Sequence, residues 1–277
     1  MKYISVFSKH FWPENFKINE IALKLKKKYD LNVFAARPEY NNINYKKKKN
    51  FIRYRGININ YFYNYNRESN TFFSIFLNYF SYVINLTFHV FFYRKIKADI
   101  VITFATSPIF QVIPALFFSK LKRIPSIIWV QDLWPEVLED TGYIKNKFIL
   151  KIINKFVMFV YNRSDAIIAQ SDSFKSHITN NYKIKKKIFT LYQPSDFKFQ
   201  KYIKKKNKIH YITFAGNFGN AQNLDILIKA FKSKKLKKNI KLNLIGSGKQ
   251  FNSLKEKIKI FKLKKKINLL SYKNKSE

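Results

Sequence analysis

The chain of 277 residues has no cysteine. Disulfide frameworks, thiolate zinc sites, iron–sulfur clusters and thiol nucleophiles are thereby excluded, while the compartment stays open. Histidine is nearly as scarce, and His10, His89, His177 and His210 show no ligand spacing, so no metal site is expected. Glycine (6), proline (7) and arginine (7) are few, whereas lysine (47), asparagine, isoleucine, phenylalanine and tyrosine abound. The abundant types share A/T-rich codons, so genome composition accounts for much of the bias. Acidic groups number 16 against 54 basic ones, a formal charge of +38. A disordered polyelectrolyte is nevertheless excluded, because 18% of residues are aromatic and 47% apolar, enough for one or two ordinary cores.

The 47:7 ratio of lysine to arginine suits a nucleic-acid reader poorly, since bidentate base and phosphate contacts favour arginine. An anionic membrane surface needs only point charges. Charge is uneven: residues 1–140 carry 21 basic and 10 acidic side chains, residues 141–277 carry 33 and 6. The lysine runs lie between apolar segments and read as solvated helix ends and loops rather than one basic groove.

Apolar periodicity gives an α/β rhythm. Lys2 to Phe7 reads as a buried parallel strand, too short for a signal peptide. A loop through Phe11-Trp-Pro-Glu14, a helix over 15–28 and a strand over 32–36 complete a βαβ unit, which implies a parallel sheet. Residues 51–65 alternate, with Ile57, Ile59, Tyr61 and Tyr63 on one face. The segment 71–93 is the most apolar, long enough for a span of roughly 20 residues. Asn78, Ser81, Asn85, Thr87 and His89 lie through its middle, which favours a buried or membrane-facing helix over a true span. Strands at 99–103, 126–130, 166–169 and 188–192 then alternate with helices at 109–121, 148–161 and 171–178. The domain expected over 1–194 gives way to a lysine-rich linker over 195–208. A second α/β pattern follows over 209–277, with strands at 209–215, 240–245 and 267–270 and helices at 224–231 and 251–261.

In open parallel sheets, ligands bind beyond the carboxyl ends of the strands. Four polar loops occupy that position: 8–15, 105–108, 131–136 and 216–222. In Ala215-Gly-Asn-Phe-Gly-Asn-Ala-Gln222, Gly216 and Gly219 allow a tight turn, and the next helix N-terminus offers N–H groups to a phosphate. The loop matches neither the dinucleotide nor the P-loop fingerprint, and a plain strand–helix turn would account for the same residues. Gly246-Ser-Gly248 is a weaker signal of the same kind. In Trp129-Val-Gln-Asp-Leu-Trp-Pro-Glu136, Asp132 at the strand end is placed to act as a base or to orient a sugar hydroxyl, with Glu136 one turn on. Alternatively, Asp132 caps the next helix and the tryptophans fill core.

Five motifs taken in order resemble one family. They are Phe11-Trp-Pro-Glu-Asn-Phe16, Thr106-Ser-Pro108, Val130-Gln-Asp-Leu-Trp-Pro-Glu136, Asp165-Ala-Ile-Ile-Ala-Gln-Ser171 and Ala215-Gly-Asn-Phe-Gly-Asn-Ala-Gln222. Together they look like the bacterial family 4 glycosyltransferases, most of all the L-fucosamine transferase subgroup of O-antigen synthesis. The resemblance implies a GT-B type α/β fold: a complete N-terminal Rossmann-like domain on the acceptor side, then an incomplete donor-side Rossmann-like domain. It implies retaining transfer from a nucleotide diphosphate sugar, UDP-linked, with no cofactor and no metal.

The implied site residues are Pro13, Glu14 and Asn15 in a loop bordering acceptor and donor phosphate, with Glu136 and Gly246 in further donor or acceptor loops. Asp132 is the implied catalytic residue near the transferred sugar, preceded by Gln131 where relatives often carry His. Gly216, Asn217, Gly219 and Gln222 form the implied pyrophosphate loop; Asn217 and Gln222 replace the Arg and Lys of many relatives, which shifts phosphate binding onto backbone N–H groups.

The family's Glu-x7-Glu element is missing, so the sequence reads as a C-terminally truncated chain with little activity alone and an open edge at strand 209–215. The expected partners are a nucleotide sugar, a lipid-linked or saccharide acceptor and the inner-membrane surface, with no nucleic acid. The expected location is cytoplasmic and peripheral at that membrane. The rival reading is a basic α/β module that binds nucleic acid or an anionic membrane surface.

Overall fold

The structure is a computed structural model and describes residues 2–39, 50–66, 71–194, 209–233, 236, 237 and 239–272. The chain divides into two compact units, Met1–Ser195 and Asp196–Glu277. The expected linker over 195–208 lies outside the described residues.

In the first unit, β1 (Tyr3–Phe7), α1 (Lys17–Lys26) and β2 (Asp30–Ala36) form the opening βαβ unit. There follow β3 (Phe51–Tyr54), β4 (Ile57–Phe62), α2 (Phe72–Val90), β5 (Ile100–Ala105), α3 (Val112–Lys122) and β6 (Ser126–Val130). The unit closes with α4 (Glu136–Asp140), α5 (Lys147–Arg163), β7 (Ala166–Ala169), α6 (Asp172–Tyr182) and β8 (Lys187–Thr190). Eight strands make one sheet in the order β3-β4-β2-β1-β5-β6-β7-β8, parallel except for β3 against β4. From β4 to β7 this is the Rossmann 3-2-1-4-5-6 order.

Both faces of the central strands are covered, so their sequences read as near-continuous apolar runs. One face packs α1 through Ile18 and Ala22 against Val6, Val33, Ile57 and Ile59. The other packs α2 and α3 through Tyr82, Leu86 and Phe118 against Phe7, Phe34 and Phe62, then α3, α5 and α6 against Ile128, Val130 and Ile167. The single-face reading of 57–63 needs correction. Ile57, Ile59 and Tyr61 do share a face, but Phe62 is buried on the other, and Tyr63 lies past the strand end and is exposed.

The polar residues of α2 explain why so apolar a helix is not a span. Asn85 Oδ1 accepts Tyr63 N–H at 3.1 Å, and Ser81 Oγ accepts Tyr65 N–H at 2.8 Å. Asn78, fully buried, donates to the Tyr65 carbonyl. These groups pin the chain leaving β4, and backbone amides of that chain find acceptors they would otherwise lack. Among the described residues no helix is long and apolar enough to cross a membrane.

In the second unit, β9 (His210–Asn217), α7 (Asp225–Lys232), β10 (Ile240–Ser247), α8 (Phe251–Ile260) and β11 (Ile267–Leu270) form a parallel sheet of order β11-β10-β9. Its core comprises Phe218, Ile228, Phe231, Leu242, Leu244 and Leu254. Among the described residues β9 is paired on one side only, and Tyr211 and Ile212 along it are exposed.

Candidate active site

Parallel pairing brings the loops after β1, β5 and β6 to one end of the sheet, with Phe7 beside Thr103 and Ala105 beside Val130. The loop after β1 is folded inward around polar groups. Glu14 is buried; its Oε2 lies 2.8 Å from His10 Nδ1, and its Oε1 accepts the Glu39 amide at 2.7 Å. His10 stacks on Phe16 at 4.6 Å. Burial holds the His10 imidazole below its ordinary pKa, against the opposing pull of the Glu14 hydrogen bond. Lys9, also buried, sets its Nζ 3.2 Å from Glu39 Oε1, and its backbone N–H donates to Gln111 Oε1 at 2.8 Å. Glu39 Oε1 additionally accepts from Asn64 and, at 2.5 Å, from Asn78. Trp12 precedes a cis bond to Pro13 and stacks on Tyr54 at 4.3 Å, while Asn15 is exposed. Of the three residues expected to border acceptor and phosphate, Glu14 points into the protein and Asn15 out of it.

Asp132 is not a helix cap. Helix α4 starts at Glu136 with Pro135 at its N-cap, and Asp132 Oδ2 instead accepts from both the backbone N–H and the hydroxyl of Ser107, each at 2.7 Å. The Ser107 hydroxyl oxygen in turn accepts Trp134 Nε1–H at 3.1 Å, and Trp129 and Trp134 are core, as that alternative had it. The carboxylate is thus locked at the junction of the β5 and β6 loops. Glu136 turns away to α6, where its Oε1 lies 2.7 Å from His177 Nε2, so the structure does not pair it with Asp132. Gln131 is buried with its Nε2 unpartnered; its carbonyl accepts from Gln170 at 2.8 Å and its side-chain oxygen from Gln193.

In the second unit the glycine loop is shorter than the sequence indicated. Strand β9 runs on through Gly216 and Asn217, because β10 supplies Gly246 and Ser247 as partners in register. A Cβ on Gly246 would stand 1.9 Å from the Gly216 carbonyl oxygen, so the strand ends approach as only glycine permits. Gly248 is confined as well: a Cβ there would stand 2.6 Å from Asn217 Oδ1.

Two backbone N–H groups of this loop already have acceptors. Phe218 N–H donates to the Ser247 carbonyl at 2.8 Å and Gly219 N–H to Gln222 Oε1 at 3.1 Å. A 3₁₀ turn over Asn220–Gln222 separates the loop from α7, whose first residue, Asp225, carries a carboxylate paired with Lys257 at 2.6 Å. A helix start carrying its own anion is a poor anion site.

Among the residues missed, Lys9, Glu39 and Gln111 meet only through the β1–β2–β5 convergence. Ser107 was legible as part of Thr106-Ser-Pro108. Among the described residues no group of three His, Asp or Glu side chains could hold a metal.

A family model described as Glycosyltransferase Family 4 matches residues 19–198, and one described as Glycosyl transferases group 1 matches residues 195–277. The chain belongs to glycosyltransferase family 4.

The resemblance drawn from the five motifs therefore holds at family level, and the chain is a glycosyltransferase rather than a mere binding module. The fold agrees. HepE (Alr3699) of Anabaena, solved with UDP and glucose, is 12% identical with a TM-score of 0.65, covering 99% of this chain and 70% of its own. TarM is 13% identical with a TM-score of 0.62, covering 100% of this chain and 78% of its own. The lipopolysaccharide outer core galactosyltransferase WaaB is 13% identical with a TM-score of 0.59, covering 99% and 69%. These GT-B neighbours share the architecture of this family 4 member. No curated protein matches the sequence significantly.

Proposed function

We propose that this glycosyltransferase takes a UDP-linked sugar and transfers it, with retention, to a lipid-linked or saccharide acceptor of a cell-surface polysaccharide such as O-antigen. The work would take place at the cytoplasmic face of the membrane. The observation that carries the donor reading is the glycine contact at the carboxyl ends of β9 and β10, where Gly246 has no room for a side chain against the Gly216 carbonyl. In an open parallel sheet that is where a nucleotide approaches backbone. HepE, of like fold, holds UDP at 12% identity, which supports the choice of nucleotide.

On the acceptor side, the reading assigns Asp132 to the transferred sugar, held in one orientation by Ser107, with Gln131 Nε2 beside it as an unpartnered buried donor. Such fixed polar groups suit a hydroxyl-rich ligand and act by orientation and electrostatic stabilisation of the departing diphosphate. Pro13 and Asn15 would frame the acceptor, with Glu14 buried beneath them, and the loop of Asn217, Gly219 and Gln222 would face the donor phosphates.

Calorimetric titration with UDP, GDP, dTDP and CMP, followed by transfer assays with the matching sugars, tests the reading. UDP binding in the micromolar range and an axial product linkage from an axial donor are expected. Failure of every nucleotide to bind would sink it, and preference for another base would redirect the donor.

A further inference from the structure

Helices α2, α3 and α5 lie side by side on one face of the first unit's sheet, with α3 in the middle. Phe91, at the exit of α2, packs on Phe117 of α3 at 4.9 Å, and Phe110, just before α3, packs on Phe156 of α5 at 5.1 Å. Their inward residues are core, but α2 and α5 also turn large apolar side chains outward. Along α2, Phe73, Phe76, Phe80, Ile84 and Phe88 recur every three or four residues, and all are exposed, Phe88 by 70%. Phe148, Ile152 and Phe159 stand out likewise from α5. An apolar groove of about 630 Å³ runs between Tyr63 and α2, with Leu77, Phe80, Ile84 and Phe88 in its wall. A soluble monomer rarely exposes so contiguous an apolar face.

The charge on this face is one-sided. Segments 71–98, 109–125 and 141–164, which contain the three helices, hold eleven Lys and Arg and no Asp or Glu. Three of these cations follow α2, three lie at the end of α3, one precedes α5 and four lie along it, so the segments that carry the exposed phenylalanines carry cations only.

We propose that this face docks on an anionic lipid bilayer, with α2 lying in the interfacial plane, its phenylalanines among the acyl chains and the lysines of α5 at the headgroups. The proposal deepens the membrane reading made above and rests on it. Charge decides the occupant. A second copy would set two all-cationic faces against one another, whereas an anionic bilayer supplies the countercharge and takes up aromatic side chains at its interface.

Flotation of the purified chain with vesicles of phosphatidylcholine alone or with 30% phosphatidylglycerol is the test. Binding is expected to the anionic vesicles, and the double variant Phe73→Ser/Phe88→Ser is expected to bind at least about tenfold more weakly, because both exposed rings lose their burial in lipid. Circular dichroism checks that the variant folds. Independently, Phe88→Trp should gain a blue-shifted emission on anionic vesicles and be quenched by brominated lipid.

If the parent chain floats but Phe73→Ser/Phe88→Ser floats equally well and the emission of Phe88→Trp stays unquenched, membrane attachment stands and this face is the wrong one. If the parent chain does not float, both readings fall. A dimer in sedimentation that Phe73→Ser/Phe88→Ser dissolves, without vesicle binding, would assign the face to a second copy and overturn the proposal.

Discussion

Replacing Gly246 by alanine should damage the second unit far more than its single methyl group implies. The new Cβ would stand 1.9 Å from the Gly216 carbonyl oxygen, and contacts under 3.0 Å are essentially never seen, so the strand ends must part by about an ångström. Parting them strains the last rungs of the β9–β10 ladder, Gly216–Gly246 and Asn217–Ser247, and the 2.8 Å bond from Phe218 N–H to Ser247. The backbone at φ +153° adds conformational strain of about 1–3 kcal/mol for any L side chain. With overpacking of similar size, the expected loss is about 3 kcal/mol. In a unit this small that lowers the melting midpoint by more than about 10 °C.

Gly142→Ala is the control. Its φ is +73° but nothing lies within 4 Å, so only the conformational part, about 1 kcal/mol, should appear. Urea titration of both variants gives the stabilities, hydrogen exchange over 210–217 and 240–247 gives the locality, and calorimetry gives UDP affinity. A Gly246→Ala protein no less stable than Gly142→Ala, with unchanged exchange and UDP binding, would refute both the steric argument and the donor assignment.

Asp132→Asn keeps an oxygen for the two Ser107 donors and should fold within about 1 kcal/mol of the parent, while transfer, followed by product formation, falls at least tenfold. Ser107→Ala strands the buried Trp134 indole N–H and one Asp132 contact, so a loss of about 2 kcal/mol is expected in chemical denaturation. His10, held neutral by burial beside Lys9, Glu14 and Glu39, has a folded pKa below its ordinary 6.5. Its contribution is therefore full above pH 6.5 and is lost as pH falls from there toward the folded value. The slope is about 1.4 kcal/mol per pH unit at most, and His10→Gln should flatten it in denaturation curves taken from pH 7 down to 5. Lys257→Ala, breaking a half-exposed pair with Asp225, should change stability by less than about 1 kcal/mol.

What could be read from the chain was whatever depends on neighbours in sequence. Ser126–Val130 and Ala166–Ala169 were found to the residue, and Ser171 caps α6 by accepting Phe174 N–H at 3.2 Å. Misreadings arose where a distant partner decides. Asp132 resembles a cap because a helix follows, but its ligand is Ser107, 25 residues earlier, on a loop that only the β5–β6 pairing brings near. Strand β9 outran its expected end at Ala215 because two residues of β10 were waiting to pair. Nothing local marks Lys9 for burial beside Glu39, 30 residues on. The scattered polar residues of α2 were legible as a warning against a span, but their acceptors and donors were not.

Glu39 gathers Lys9 from the end of β1, Asn64 from beyond β4 and Asn78 from α2 onto one carboxylate oxygen, while its own amide holds Glu14. The helix proposed to lie on the bilayer and the loop proposed to receive the acceptor are therefore fastened to a common post. The tilt at which α2 settles in the membrane then sets the angle from which a lipid-borne acceptor must arrive. Loosening that post, by Asn78→Ala for example, would leave lipid attachment intact while degrading the aim.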